Sequence, residues 1–393
     1  ITPLFFDVEG DGDQDLLVVS GGVEGEPASP VFKDRLYLND GKGVFTLGVD
    51  ALPNIAASGG PAAAKDFDKD GDLDLFIGGR VVPGSYPEAP QSQLLRNDTT
   101  EEVVKFTDLG IGAIGMITSA LWADTNGDSW PDLVLATEWG SVQVLENNRG
   151  TLAKPRQDDR TGWWSSLAAG DLDGDGDIDL VVGNVGLNTK YKAPELLYYG
   201  DFDGTGKSRI LEAKFEGDTC LPHRGYSCSS NAMPALKSKF QTFHAFASKS
   251  LESIYSNTRL QKAVRYEANT LESGVFLNDG SGRFQFQPLP RLAQVFPIYG
   301  IVIEDFTKDG VPDVVVIGNS NSPQRETGNM DGGLSLLLAG DGKGSFEPIW
   351  PKQSGLVVPG DAKGVVVTDL NGDQKKDLVV TVNSSGLRVF LAR

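Results

Sequence analysis

The sequence predicts an all-β fold, and three observations carry that prediction. A nine-residue aspartate-rich phrase recurs seven times along the 393 residues. Each sound copy runs straight into a short run of Leu, Val and Ile with no helical period, which reads as a buried strand. A third strand then ends in a tight polar turn, and an aromatic residue opens a fourth. Four antiparallel strands per unit, repeated along one chain, is the pattern of a β-propeller. Seven copies predict seven blades in a single domain over residues 1–393.

The phrase itself implies a cation. In the copy that starts at Asp66, the acids Asp66, Asp68, Asp70, Asp72 and Asp74 fill every odd position, and Gly71 permits a sharp bend. Carboxylates this close repel and raise each other's pKa unless a cation sits among them. Calcium takes six to eight oxygens, which side chains at positions one, three, five and nine and a carbonyl near position seven can supply. The copies Asp7, Glu9, Asp11, Asp13, Asp15 and Asp171, Asp173, Asp175, Asp177, Asp179 are equally complete. Three others are leaner: Asp124, Asn126, Asp128, Asp132; then Asp305, Thr307, Asp309, Asp313; then Asp369, Asn371, Asp373, Asp377. About five to six calcium ions are expected. The copy Asp201–Arg209 ends in a cation of its own, and no tight calcium is expected there. An EF-hand is disfavoured. Its loop has twelve residues, ends in Glu and is flanked by helices, whereas position twelve here is apolar (Val18, Ile77, Leu135, Val182).

The strands entering the loops are rich in small residues, as in GPAAAKDFD and SSLAAGDLD. The third and fourth strands are joined by turns at 35–45, 274–284 and 334–346, where Asn39-Asp40-Gly41 and Asn278-Asp279-Gly280 are hairpin signals. One region departs from the pattern. In 217–262, Leu236, Phe240, Phe243, Phe246, Ala247, Leu251 and Ile254 recur at helical spacing and predict one or two amphipathic helices. The segment reads as a helical insertion within one blade, with Glu195–Phe215 supplying two strands and Leu271–Pro288 the other two. The alternative assigns Glu195–Phe215 to the fourth blade and leaves the fifth irregular. At the ends, Ile1 opens within an expected strand, and only Gly386–Arg393 follows the last second strand. Either residues upstream complete the closing blade or that blade has three strands.

Net charge is −19, from 35 basic and 54 acidic residues, and the loops account for much of it. No basic stripe is present, which argues against a nucleic-acid partner. No apolar run is long enough to span a membrane. Cys220 and Cys228 are the only cysteines, and a disulfide between them is expected if the chain is secreted. Loops of this type suit millimolar extracellular calcium, so the expected location is the cell exterior or surface, with periplasm or outer membrane as variants.

These units resemble FG-GAP, or VCBS, repeats, the calcium-loop blades of integrin alpha-subunit heads. The run Gly162-Trp-Trp-Ser-Ser-Leu-Ala-Ala-Gly-Asp-Leu-Asp-Gly-Asp-Gly-Asp-Ile-Asp-Leu-Val-Val-Gly-Asn184, followed by Gly186-Leu-Asn-Thr189, is similar to a bacterial group. Its members carry such repeats, often beside an ASPIC/UnbV domain related to cartilage acidic protein. Arg224, Cys228-Ser-Ser and the following Lys-Phe helix fit that group as well. The resemblance implies a seven-bladed calcium-binding propeller, exported and often at a bacterial surface.

For ligand contacts beyond calcium, Trp139, Trp163 and Trp164 are candidates as an aromatic platform, with Asn184 and Asn188 as polar companions. His223 beside Arg224 is a candidate for acid–base work or anion contact. No nucleophile elbow, phosphate loop, dinucleotide fingerprint or zinc spacing occurs. The expected function is a binding or adhesion module for a protein or glycan at the cell surface, an enzyme being the less favoured class. The alternatives are a lyase-like polysaccharide enzyme using His223, Arg224 and Tyr226, and a structural subunit of an extracellular assembly. An assembly partner or a neighbouring domain of a longer chain would then be the contact.

Overall fold

The computed structural model describes residues 2–324 and 327–392. Ile1, Arg325, Glu326 and Arg393 lie outside them, so the expectation for a strand beginning at Ile1 does too. In all six sound copies the ninth loop position opens a strand: Asp15–Val19, Asp74–Gly79, Asp132–Gly140, Asp179–Gly183, Asp313–Gly318 and Asp377–Val382. The cause is local. The carboxylate ends the turn, and the β-branched and Leu residues after it favour a pleated, buried strand.

The chain divides into two compact units. The first holds Ile1–Asp159, Trp163–Thr189 and Glu272–Arg393. Its first sheet runs Thr2–Phe6, Asp15–Val19, Arg35–Asn39, Phe45–Leu47 in antiparallel order, and its second runs Gly59–Lys65, Asp74–Gly79, Gln93–Asn97, Phe106–Asp108. The third has Met116–Ala123, Asp132–Gly140, Gln143–Leu145 and Arg156–Gln157 in succession. The fourth joins Ser166–Gly170 and Asp179–Gly183 to Gly274–Asn278 and Phe284–Pro288. The fifth comprises Ile298–Glu304, Asp313–Gly318, Leu336–Gly340 and Phe346–Ile349. The sixth has three strands, Ala362–Thr368, Asp377–Val382 and Arg388–Phe390. This is the all-β blade architecture of a β-propeller.

Side chains alternate between the two faces of each strand, so one strand feeds two cores. Leu75 and Ile77 pack toward the first sheet with Leu17 and Leu36, while Phe76 packs toward the third with Leu133 and Leu135. Leu180 and Val182 join Val134 and Trp164, whereas Val181 joins Val314 and Val316. Val315 and Ile317 then meet Leu378 and Val380. Each fully buried aliphatic chain of this kind stabilises by about 1.5–3 kcal/mol. The fourth and fifth sheets approach so closely at Gly183 that a Cβ there would lie 2.5 Å from the Ile298 carbonyl oxygen.

The second unit is Arg160–Gly162 with Lys190–Leu271. Its sheet has the order Thr219–Pro222, Arg209–Glu216, Glu195–Gly200, Val264–Ala268. The expected blade made of Glu195–Phe215 and Leu271–Pro288 does not form. Glu195–Tyr199 pair instead with Val264–Ala268, and Gly274–Phe276 pair with Leu180–Val182. Helices lie within 217–262 as expected, but they are five short ones: Tyr226–Ala232, Ala235–Lys239, Phe243–Ala247, Leu251–Tyr255 and Asn257–Lys262. Caps cut the helical pattern. Thr242 and Ser250 accept bonds from Ala245 N and Ser253 N, and Ser256 sits at φ +68°. Leu236, Phe240, Phe246, Leu251 and Ile254 form this unit's core, while Phe243 faces outward. Cys220 and Cys228 are not bonded to each other, contrary to expectation. Cys220 points from its strand into this core, and Cys228 stands exposed on a helix.

Candidate metal loops and an aromatic cluster

The first loop position shapes the turn. Asp7 accepts bonds from Gly10 N, Asp11 N and Gly12 N, and Asp124 from Gly127 N, Asp128 N and Ser129 N, all at 2.7–3.2 Å. Asp201 in the eroded copy does the same for Gly204, Thr205 and Gly206. Loop shape therefore survives without the full set of acids. In that copy Arg209 stands 3.6 Å from Asp203, so a guanidinium holds the place of a cation.

The ninth position is a staple. Asp15, Asp74, Asp132, Asp179, Asp313 and Asp377 are all fully buried. One oxygen of Asp132 accepts from Thr125 N within the loop at 3.1 Å, and the other accepts from Asn147 N, just past the third strand, at 2.8 Å. The same pair of bonds recurs at Asp15, Asp74, Asp179 and Asp377. Asp313 shifts its loop bond to Thr307 N. Loop and sheet are thus tied by one carboxylate.

Two loops bring three carboxylates together with oxygens within 4.8 Å of one another: Asp66, Asp68, Asp74 and Asp171, Asp173, Asp179. These could hold a metal ion. Asp66 Oδ1, Asp68 Oδ1 and Asp72 Oδ1 are buried without a hydrogen-bond partner, a donor set made only of hard oxygens. Burial pushes the Asp74 carboxyl up to about 7 and the Asp179 carboxyl up to about 6. Burial first and the Asp70 carboxylate second push Asp72 up to about 6. A cation would relieve this crowding. Asp70 and Asp175, at position five, do not join the two groups, nor do the acids of the other four loops.

At the far end of the second strands, away from the loops, lies a cluster that the sequence reading saw only in part. Arg80 pairs with Glu138, whose other oxygen accepts from Tyr86 OH at 2.7 Å. Tyr86 OH in turn accepts from Trp139 Nε1 at 2.5 Å. Trp139 meets the half-buried Trp163 edge-on at 5.0 Å. From the fifth and sixth sheets, Tyr299 lies under Lys363, 3.4 Å from ring centre to Nζ, and Lys363 pairs with Asp361 at 2.7 Å. Burial first pushes the Tyr299 hydroxyl up, and the Asp361 and Glu138 carboxylates act in the same direction while Arg80 opposes them. Trp139 has φ +59°, a conformation uncommon for a bulky side chain.

The remaining expected contacts are placed differently. Trp164 is fully buried against Phe276 and Phe286, a core residue and not a platform. Neighbouring residues of an extended chain point to opposite sides, so only Trp163 of the pair reaches the cluster. Asn184 is fully buried and accepts from Trp163 N and Val185 N. Asn188 is exposed and donates to Val295 O at 3.1 Å. In the second unit His223 pairs with the buried Glu195, and Arg224 with Glu212 at 2.9 Å. Tyr226 OH donates to Phe240 O at 2.6 Å. The three side chains suggested for catalysis are thus each engaged in structure.

A model of the FG-GAP-like repeat matches residues 7–77 and 124–182. The chain carries FG-GAP-like repeats. No curated protein matches it. Among solved structures, an Agrocybe aegerita lectin described as recognising non-reducing terminal N-acetylglucosamine is 17% identical, covering 89% of this chain and 79% of that one, at TM-score 0.34. The V. cholerae biofilm matrix protein Bap1 is 13% identical over 99% of this chain and 76% of that one, at TM-score 0.40. A BBS1N structure in complex with ARL6DN is 12% identical over 100% and 91%, at TM-score 0.35. The matched FG-GAP-like repeats contain both three-carboxylate groups. No helix among the described residues is long and apolar enough to cross a membrane.

Proposed function

We propose that this chain is an exported, calcium-stabilised propeller that binds a glycan or protein at the cell surface. The observation that carries the reading is the cluster of Trp139, Trp163, Tyr86 and Tyr299 with Arg80, Glu138, Asp361 and Lys363. Aromatic faces pack on sugar rings or side chains, and the half-buried Trp163 is the ring of this cluster that stands partly open. The two cations and two anions balance, which suits an uncharged, hydroxyl-rich ligand. Calcium has a structural role here: it holds the loops at the opposite strand ends, Asp66, Asp68, Asp74 and Asp171, Asp173, Asp179 being the first ligands.

A glycan array probed with the wild type, Trp163→Ala and Tyr86→Phe tests this. Binding by the wild type and its loss in Trp163→Ala, with unchanged melting, is the expected result. Binding that survives both substitutions would move the site elsewhere. Cleavage of a bound glycan would replace the binding reading with an enzymatic one.

A further inference from the structure

The second unit reverses the charge of the chain. Residues 190–271 carry twelve Lys and Arg against eight Asp and Glu, a net +4, whereas the whole chain stands at −19. Its helices border a cavity of about 310 Å³, at the small end of ligand pockets. Phe202, Met233, Leu236, Ile254 and Tyr255 give it apolar walls, all of them buried, and the rings of Phe202 and Tyr255 meet edge-on at 5.9 Å. Two exposed cations complete the lining. Lys239, at the end of the helix Ala235–Lys239, donates to Ser253 O and Ile254 O at 2.7 and 2.8 Å. An ammonium has three N–H groups, so one remains for a ligand. Arg259 donates from Nη1 to Phe202 O, and its other N–H groups remain. In the loops at Asp7, Asp66 and Asp124 the second-position carbonyl accepts an Asn amide instead. The eroded copy thus holds a guanidinium where these sound copies hold a neutral side chain. Asp203 also lines the cavity, but its charge is met by Arg209 at 3.6 Å, and it accepts from Thr205 Oγ1 at 2.6 Å.

We propose that this cavity binds a small carboxylate with an apolar body, such as a short fatty acid or an arylalkanoate. The body packs against Phe202, Leu236 and Ile254, and the carboxylate accepts from Lys239 and Arg259. Hydrogen bonds between ionised partners are the stronger kind. Both cations are already tied to backbone carbonyls, so little side-chain freedom is lost when the ligand arrives. The modest volume selects a small body, and the two cations select an anion over an alcohol or an amine of the same shape. The inference goes beyond the cell-surface binding reading. It uses none of the residues of the aromatic cluster, so the two readings fail separately.

Calorimetric titration of the full chain with octanoate is the test, beside acetate, which keeps the charge without the body, and octanol and octylamine, which keep the body without the negative charge. The expected result is one octanoate per chain, binding to octanol weaker by about tenfold, and none to acetate or octylamine. Lys239→Gln and Arg259→Gln should each weaken octanoate by about tenfold. Lys239 also ties down two carbonyls, so Ala235→Trp serves as a variant that leaves those bonds alone. Ala235 is exposed on the cavity lining, and a Trp there should abolish octanoate binding with circular dichroism and glycan binding as in the wild type. A wild type that takes up no octanoate overturns the proposal. Octanol bound as tightly as octanoate overturns it, and so does octanoate binding that survives Ala235→Trp.

Discussion

Single carboxylates do unlike work in this chain. Asp34 lies outside the loops, where burial pushes it from the usual 3.8 up to about 6 while Ser20 N and Gln93 Nε2 donate to it. A raised pKa in the folded state means that the fold holds this proton more tightly than the unfolded chain does. Its contribution to stability is present in full below about pH 4 and is lost as pH rises through about 6. Asp34→Asn should therefore stabilise the chain at pH 7.5, by about 1–2 kcal/mol after solvent screening, and the gain should vanish near pH 4. A gain equal at both pH values, by thermal denaturation, would refute this account. Spacing made the loop acids legible in the sequence, because alternate carboxylates need a common cation. It did not show that the ninth acid spends both oxygens on backbone N–H groups, since the partner on the third strand lies up to 99 residues away. Nor could composition separate Trp163 from Trp164, which differ only in the side of the strand they face.

At the scale of elements, the Asn at or just past the end of the third strand does more than open a turn. Asn97 Nδ2 donates to Val8 O, Asn147 Nδ2 to Phe67 O and Asn278 Nδ2 to Thr125 O, at 2.7–3.0 Å. Each acceptor belongs to the loop of the preceding sheet, so these amides lace neighbouring sheets together. Of these, the sequence displayed Asn278 only as a hairpin residue. Asn147→Ala removes this bond, a second to Pro131 O and the acceptor for Gly150 N, and should cost about 2–3 kcal/mol. Asn39 donates to Gln14 O and accepts from Gly43 N, both exposed bonds within its own sheet, and should cost under about 1 kcal/mol when changed to Ala. Equal costs in urea denaturation would refute the lacing. Strand existence was legible because hydrophobic runs follow every sound loop. Strand partnership was not, as Glu195–Gly200 shows: its period fits any sheet, and pairing with Val264–Ala268 depends on a chain reversal through five helices.

For the whole molecule, calcium removal is the broad test of the metal assignment. Chelation should lower the melting temperature, with substitutions in the Asp66 and Asp171 loops reducing the shift most. A melting curve indifferent to chelator would end the calcium reading. Fold class was legible from the repeat. The fourth sheet carries a different consequence. Its second strand, Asp179–Gly183, is complete long before Gly274–Asn278, and their staple spans 99 residues. Synthesis at about 5–20 residues per second leaves that strand edge waiting on the order of 5–20 s on the ribosome. Residues Lys190–Leu271 of the second unit emerge within that interval. The newborn chain must therefore keep a bare apolar edge from mispairing while an entire small domain is threaded out ahead of its partner.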